Sequence, residues 1–383
     1  MAIFGTISLM ASLALCIYGA VAPYLGVKNN NWNLIRSAQN SSILNFFLVS
    51  FASGILIYAL ITSDFSIAYV WAHSSTDMPL FYKITSYWGG LEGSLLFWVL
   101  VQSFFLMVVA FRYQYSNRDI IPYVISTLNI ITGFLLFLLI GWSNPLDLQG
   151  VIPMEGRGLN PLLQNPAMAI HPPSLYLGFI GFSVPFAFAM GGLILGKLDN
   201  EWILTTRRWT LMSWYFLSAG LILGGQWAYE ELGWGGFWAW DPVENAALMP
   251  WLTGTAFLHS VMIQEKRNMM KIWNIVLIIL TFGLTIVGTF LTRSGIINSV
   301  HAFTQSDIGP AFLILLAFVL VASFTLLFKR IQMLESEHKI ESVFCRENIF
   351  LAQNVLLVGI SFTVLLGTVF PLLAEAVRGT KLS

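Results

Sequence analysis

The sequence has 383 residues, of which 57% are hydrophobic and only 10% charged, with a mean hydropathy of +0.74. A soluble domain carries about a quarter charged residues, so an ordinary water-soluble enzyme is excluded and an integral membrane protein is indicated. Nineteen Lys and Arg balance nineteen Asp and Glu, which excludes a basic surface for nucleic acid, and the two cysteines, Cys16 in an apolar run and Cys345 beside a charged segment, make neither a disulfide framework nor a CxxC pair.

A helix needs about 20 apolar residues to cross the hydrocarbon core of a bilayer. Such runs lie roughly at 3–26, 43–62, 91–111, 121–142, 174–196, 209–228, 246–264, 272–291, 310–328 and 348–370. The sequence therefore predicts an all-α fold, a polytopic membrane helical bundle of about ten transmembrane helices that forms a single membrane domain over 1–383. Connections after the odd-numbered spans hold 14 of the 19 basic residues, including Arg36, Arg118, Arg207, Arg208 and Arg330, and the remaining five lie on the other side. Basic loops stay in the cytoplasm. Both termini are thus expected outside, with external loops at 63–90, 143–173, 227–251 and 292–309 and a cytoplasmic segment at 329–347. Residues 1–15 contain no Lys or Arg, so the first span reads as a retained anchor rather than a cleaved signal.

Five histidines and one loop are the places where chemistry can reside. His73, in the loop 63–90, and His338, in the charged cytoplasmic segment, read as solvated surface side chains. His171 stands in NPLLQNPAMAIHPPSLYLG, where Pro172 and Pro173 are expected to end the loop and let the fifth span start just beyond. The loop between spans six and seven reads WAYEELGWGGFWAWDPVENAALMPW from Trp227 to Trp251. Aromatic belts are common where spans meet water. Three features argue for more than a belt: the density of rings, glycines at 233, 235 and 236 that allow close approach to the backbone, and acids set in an apolar surface. Such a surface suits stacking against a large planar ligand whose metal is held by histidines, and haem fits that description. Asp241 and Glu244 carry two readings, interaction with a ligand or partner and capping of the seventh span, the second favoured for Glu244 by Asp-Pro at the start of the helix. His259 lies about thirteen residues into that span, roughly 20 Å deep at 1.5 Å per residue. A histidine buried there serves as a cofactor ligand or makes a helix–helix hydrogen bond. His301, in TRSGIINSVHAF, follows the eighth span at the outer surface.

The loop resembles the tryptophan-rich WWD motif of the haem-handling proteins of cytochrome c maturation, and in particular the CcmF family, the membrane haem lyase subunits. The likeness runs along the whole chain, through WGGLEGSLLFW at 88–98, EGRGLNPLLQNPAMAIHPPSLYLGFIGFSVPFAFA at 155–189, GTFLTRSGIINSVHAF at 288–303, and LAQNVLLVGISF to GTVFPLLAEAVRG at 351–379. The resemblance implies that His171 and His301 are the external axial ligands of the haem being transferred. It implies that His259 is one of two ligands of a resident haem b, and that Trp234, Trp238, Trp240 and Asp241, with Trp227 and Phe237, form the catalytic haem platform. Phe237 stands where the family usually has tryptophan and Leu91 where it usually has histidine before Glu-Gly-Ser. Members of the family continue past the point that matches residue 383, and the resemblance places the second ligand of the resident haem in that further part; the chain then reads either as one product of a split gene, with a separate C-terminal half as partner, or as a fragment of a longer protein. Other implied partners are a periplasmic haem chaperone (CcmE-like), a thiol-bearing maturation subunit (CcmH-like) and apocytochrome c, at the periplasmic face of the inner membrane. Three rival readings accompany this one: the related haem lyase of the nitrite-reductase pathway, a haem-binding transporter or scaffold that makes no covalent bond, and a plain secondary transporter with an aromatic belt, against which the near absence of charges inside the spans argues.

Overall fold

The computed structural model describes residues 1–197, 201–233, 235–294, 308–334 and 345–378. In chain order its helices are α1 (Ala2–Lys28), α2 (Trp32–Thr62), the short α3 (Ala68–His73) and α4 (Leu80–Thr85), α5 (Leu91–Arg112), α6 (Ile121–Trp142), α7 (Pro166–Gly181), α8 (Ser183–Leu195), α9 (Glu201–Glu231), α10 (Pro242–Arg267), α11 (Lys271–Arg293), α12 (Gly309–Arg330) and α13 (Arg346–Arg378). Among the described residues nine helical stretches are long and apolar enough to cross a membrane, with α7 and α8 counted as one. The expected span 209–228 lies within α9. That helix is long enough, about 46 Å at 1.5 Å per residue, but Trp209, Trp214, Tyr215 and interspersed Ser and Gly make it less apolar than most of the others.

The chain divides into two compact units, Met1–Tyr176 and Leu177–Ser383. In the first, α1 packs on α2 and α6, α2 packs on α5, and α5 packs on α6, which closes a four-helix bundle. Hydrocarbon gives apolar side chains no reason to prefer a helix over lipid, so small and polar residues bind membrane helices together. The bundle follows that rule: Asn129 donates to Ser42 (3.0 Å), Ser8 donates to the Leu48 carbonyl (2.8 Å), and Asn45 donates to the Cys16 sulfur (2.6 Å). Cys16 and Cys345 are both free thiols.

The two long connections of the first unit are knitted over one end of this bundle. Ala68 N–H donates to Asp147 O, Gln149 N–H to Ser66 O, and Arg157 N–H to Trp71 O. The Arg157 guanidinium lies 4.1 Å from the centre of the Trp71 ring, and the Glu155 carboxylate accepts from the backbone and hydroxyl of Thr76 and from Gly156 N–H. Those hydrogen bonds hold the Glu155 carboxyl below its ordinary value.

In the second unit α10 is central, packed on α9, α11 and α13, while α11 also touches α8 and α12. The α10–α11 hairpin turns through Asn268 and Met270 in the left-handed conformation, and the seam below it is again polar, with Asn274 donating to Gln264 (2.7 Å) and Thr281 to Thr253 (3.0 Å). Arg330 of α12 donates to the Leu193 and Ile194 carbonyls, the free acceptors at the end of α8.

Candidate functional site

The aromatic loop is built between the end of α9 and the start of α10. Gly233 and Gly235 have φ of +67° and +74°, with nothing near where a Cβ would stand. Conformation, rather than crowding, is what requires glycine at these two turns. The loop ends on Asp241, whose carboxylate accepts from Val243 N–H (3.0 Å), while Glu244 reaches back to accept from Asp241 N–H (3.2 Å) and Ala239 N–H (2.9 Å). This is a complete capping box with proline at the first helical position. Of the two readings of Asp241 and Glu244, the cap is the one with visible geometry.

Above the cap, Trp240 is held at φ +60°, a conformation that costs a bulky residue on the order of 1–3 kcal/mol and persists only where its surroundings impose it. The buried Asn245 imposes it here, since its amide donates to the Trp240 carbonyl (2.9 Å) and to Thr368 of α13 (3.1 Å). Phe237 stacks on Tyr229 with ring centres 4.5 Å apart and planes at 12°, and Trp238 meets Trp240 edge to face at 5.9 Å. Tyr229, Phe237 and Trp240 are all more than half exposed. A soluble surface rarely presents so many rings together. Trp227, by contrast, is wholly buried, unlike the exposed rings of Phe237 and Trp240.

The expected histidines fall differently. His171 is half-buried in the second turn of α7. The helix does not wait for Pro172 and Pro173: it starts at Pro166, because Asn165 caps it, its side chain accepting from Ala167 N–H at 2.7 Å, and Asn-Pro is itself a cap followed by a favoured first residue. The two inner prolines then remove the hydrogen bonds to the carbonyls four residues earlier, within the turn that bears His171. His171 belongs to the first compact unit and the aromatic loop to the second. His301 and Trp234, like His338, lie outside the described residues.

His259 is half-buried in α10, its ring 5.8 Å from Phe350 of α13. Its Nδ1 is buried without a hydrogen-bond partner among the described residues, and so are both amide atoms of Asn354, one turn along α13 from Phe350. Unpartnered buried polar atoms are uncommon and call for a missing partner. Among the described residues no three His, Cys, Asp or Glu converge to hold a bare metal ion. A porphyrin brings most of its iron's ligands with it and asks the protein for one or two histidines and for aromatic faces, so the residues present fit haem. His73 is not solvated as expected: its ring stacks on Tyr69 (4.2 Å), its Nδ1 pairs with the Tyr69 carbonyl (3.0 Å), and it abuts Gly90. Leu91, beside it, is buried. Asn245 did not stand out as a site residue in the sequence, because its partners Trp240 and Thr368 are brought together only by the fold.

Residues 88–297, more than half of the chain, match the family model described as cytochrome c assembly protein. The chain belongs to that family. It is 44% identical over 380 residues to the cytochrome c-type biogenesis protein CycK of Rhizobium meliloti, covering 99% of this chain and 56% of the relative. To CcmF of Escherichia coli K12 it is 42% identical over 366 residues, covering 95% of this chain and again 56% of the relative. Its structure is similar to that of the cytochrome c haem lyase CcmF, with a TM-score of 0.82 and 33% identity over 98% of this chain and 57% of that one. The chain thus spans a little over half the length of the relatives it matches.

Proposed function

We propose that this family member acts in cytochrome c maturation as a haem lyase subunit, presenting haem at the outer face of the inner membrane for attachment to apocytochrome c. The observation that carries this reading is the open aromatic loop, with Phe237 and Trp240 exposed and Trp240 pinned in a strained conformation on the capping box. In this reading the substrate haem lies against Phe237, Trp238, Trp240 and Trp234, with His171 and His301 as its axial ligands. Thioether formation adds each cysteine S–H of a CxxCH segment across a vinyl group, sulfur to one carbon and hydrogen to the other, so no atom is lost. The chain contributes positioning, worth about 7–11 kcal/mol when reacting atoms are held near attack. Asp241 and Glu244 act through the cap that fixes the platform. His259 serves as one ligand of a resident haem b, whose second ligand comes from the part of the relatives' length that this chain does not span. When bound, that group supplies an electron to the substrate site.

Haem is delivered by a periplasmic haem chaperone of the CcmE kind and the apoprotein is kept reduced by a CcmH-like thiol protein. Reconstitution with haem-loaded chaperone and a reduced apocytochrome tests the reading. His171→Ala and His301→Ala are expected to abolish thioether cytochrome while leaving the chain in the membrane; normal yield from both would overturn the ligand assignment. Haem retained by the wild type with no thioether product would identify a scaffold instead of a lyase.

A further inference from the structure

At the end of the first unit away from the knitted loops, the start of α2, the α5–α6 connection and the start of α6 frame an open hollow of about 150 Å³. Arg36 and Arg118 both line it. Each guanidinium is placed by an aromatic ring: Arg118 lies 5.7 Å from the centre of Trp32, and Arg36 lies 5.8 Å from the centre of Tyr115 while donating to its hydroxyl (3.2 Å). Neither arginine is ion-paired with a carboxylate among the described residues. Gln39 also lines the cavity; it is only 4% exposed, and no described residue hydrogen-bonds its amide. An amide at the wall of the hollow offers a neutral donor beside the two guanidinium groups. Two planar donor forks without a carboxylate partner and an amide in one hollow are a recognition set for a group with several anionic oxygens, and arginine is the residue suited to phosphate.

The surroundings decide between a soluble phosphate and a lipid. The cavity opens where three spanning helices begin or end, between the half-exposed ring of Trp32 and the exposed ring of Tyr115, with Ile35, Ile121 and Pro122 on its apolar side. Aromatic side chains of this kind sit at headgroup level, and basic pockets between spanning helices take anionic headgroups. We propose that Arg36, Arg118 and Gln39 form a binding site for the phosphate of an anionic phospholipid in the leaflet facing the basic loops, the cytoplasmic one by the distribution of charge. The site lies in the first unit, apart from the aromatic loop, and stands whatever the outcome for haem.

The test is native mass spectrometry of the delipidated protein in detergent, titrated with phosphatidylglycerol, phosphatidylcholine or inorganic phosphate. The wild type should retain phosphatidylglycerol at concentrations at least tenfold below those needed for the double variant Arg36→Gln with Arg118→Gln, and phosphatidylcholine should not distinguish the two. Gln39→Leu, close in size and charge-neutral, should weaken retention several-fold, which keeps the test informative if the double variant folds poorly. Equal phosphatidylglycerol retention by wild type and by whichever variants remain folded would overturn the site. Arginine-dependent binding of inorganic phosphate with no preference for the anionic lipid would overturn the lipid assignment.

Discussion

Asp241 and His73 show how a single side chain's work is set by its immediate partners. The Asp241 carboxylate is engaged by the first turn of α10, so its removal should be felt first as stability. Asp241→Ala is expected to lower stability by about 1 kcal/mol, the usual cost of a lost cap, and Asp241→Asn, which caps equally well, should stay near wild type in thermal unfolding and in cytochrome yield. A large loss of yield in the Asn variant at unchanged melting temperature would show that the charge itself acts on haem or apoprotein. His73 was legible as a loop histidine but not as a packed one, because its stacking partner Tyr69 and its neighbour Gly90 are joined only by the fold. Burial holds its imidazole below the ordinary value, against the smaller opposing effects of the Tyr69 carbonyl and Glu92. An unfolded chain therefore binds the proton more readily than the folded one. The contribution of His73 is fully present above about pH 6.5 and is lost as pH falls below that value toward the folded pKa. His73→Gln should flatten the fall in melting temperature between pH 7.5 and 5; an unchanged slope would place the pH sensitivity elsewhere.

Helices were read from runs of apolar residues, and most fell where those runs are unbroken. The exceptions have local causes. The prolines after His171 looked like a start signal, yet Asn165-Pro166 is an earlier and complete one, and the helix tolerates the inner pair. The span within α9 is helical for its full length and packs closely on other helices: Gly178 of α7 meets the backbone of Leu217, and Ser218 accepts from Trp251 at 2.7 Å. A Cβ on Gly178 would stand 2.7 Å from the Leu217 backbone nitrogen and 2.8 Å from its Cα, and backbone cannot yield as a flexible side chain can. Gly178→Ala should therefore destabilise by about 1–3 kcal/mol, the usual cost of overpacking, seen as a drop in melting temperature and in yield from the membrane. Wild-type stability in this variant would mean that α7 and α9 are free to move apart.

For the molecule as a whole, composition and charge were enough to predict a polytopic helical membrane protein, and the order of motifs was enough to identify the family. The partition into two compact units was not legible, because nothing in the linear pattern marks a boundary inside α7. The support of the aromatic loop by Asn245 depends on side chains brought together by α10 and α13, which periodicity alone does not reveal. The deepest feature is the orphaned polar set of His259 and Asn354 in the α10–α13 seam. In the proposed function a resident haem takes His259 as one ligand and its second from the remainder of the relatives' length. The central claim is tested most directly by the reduced absorption spectrum and pyridine haemochrome of the purified chain, alone and after coexpression with the remaining part from a relative. The account predicts a b-type signal that appears with the second part and disappears in His259→Ala; no haem in either preparation, or an unchanged spectrum in His259→Ala, would contradict it.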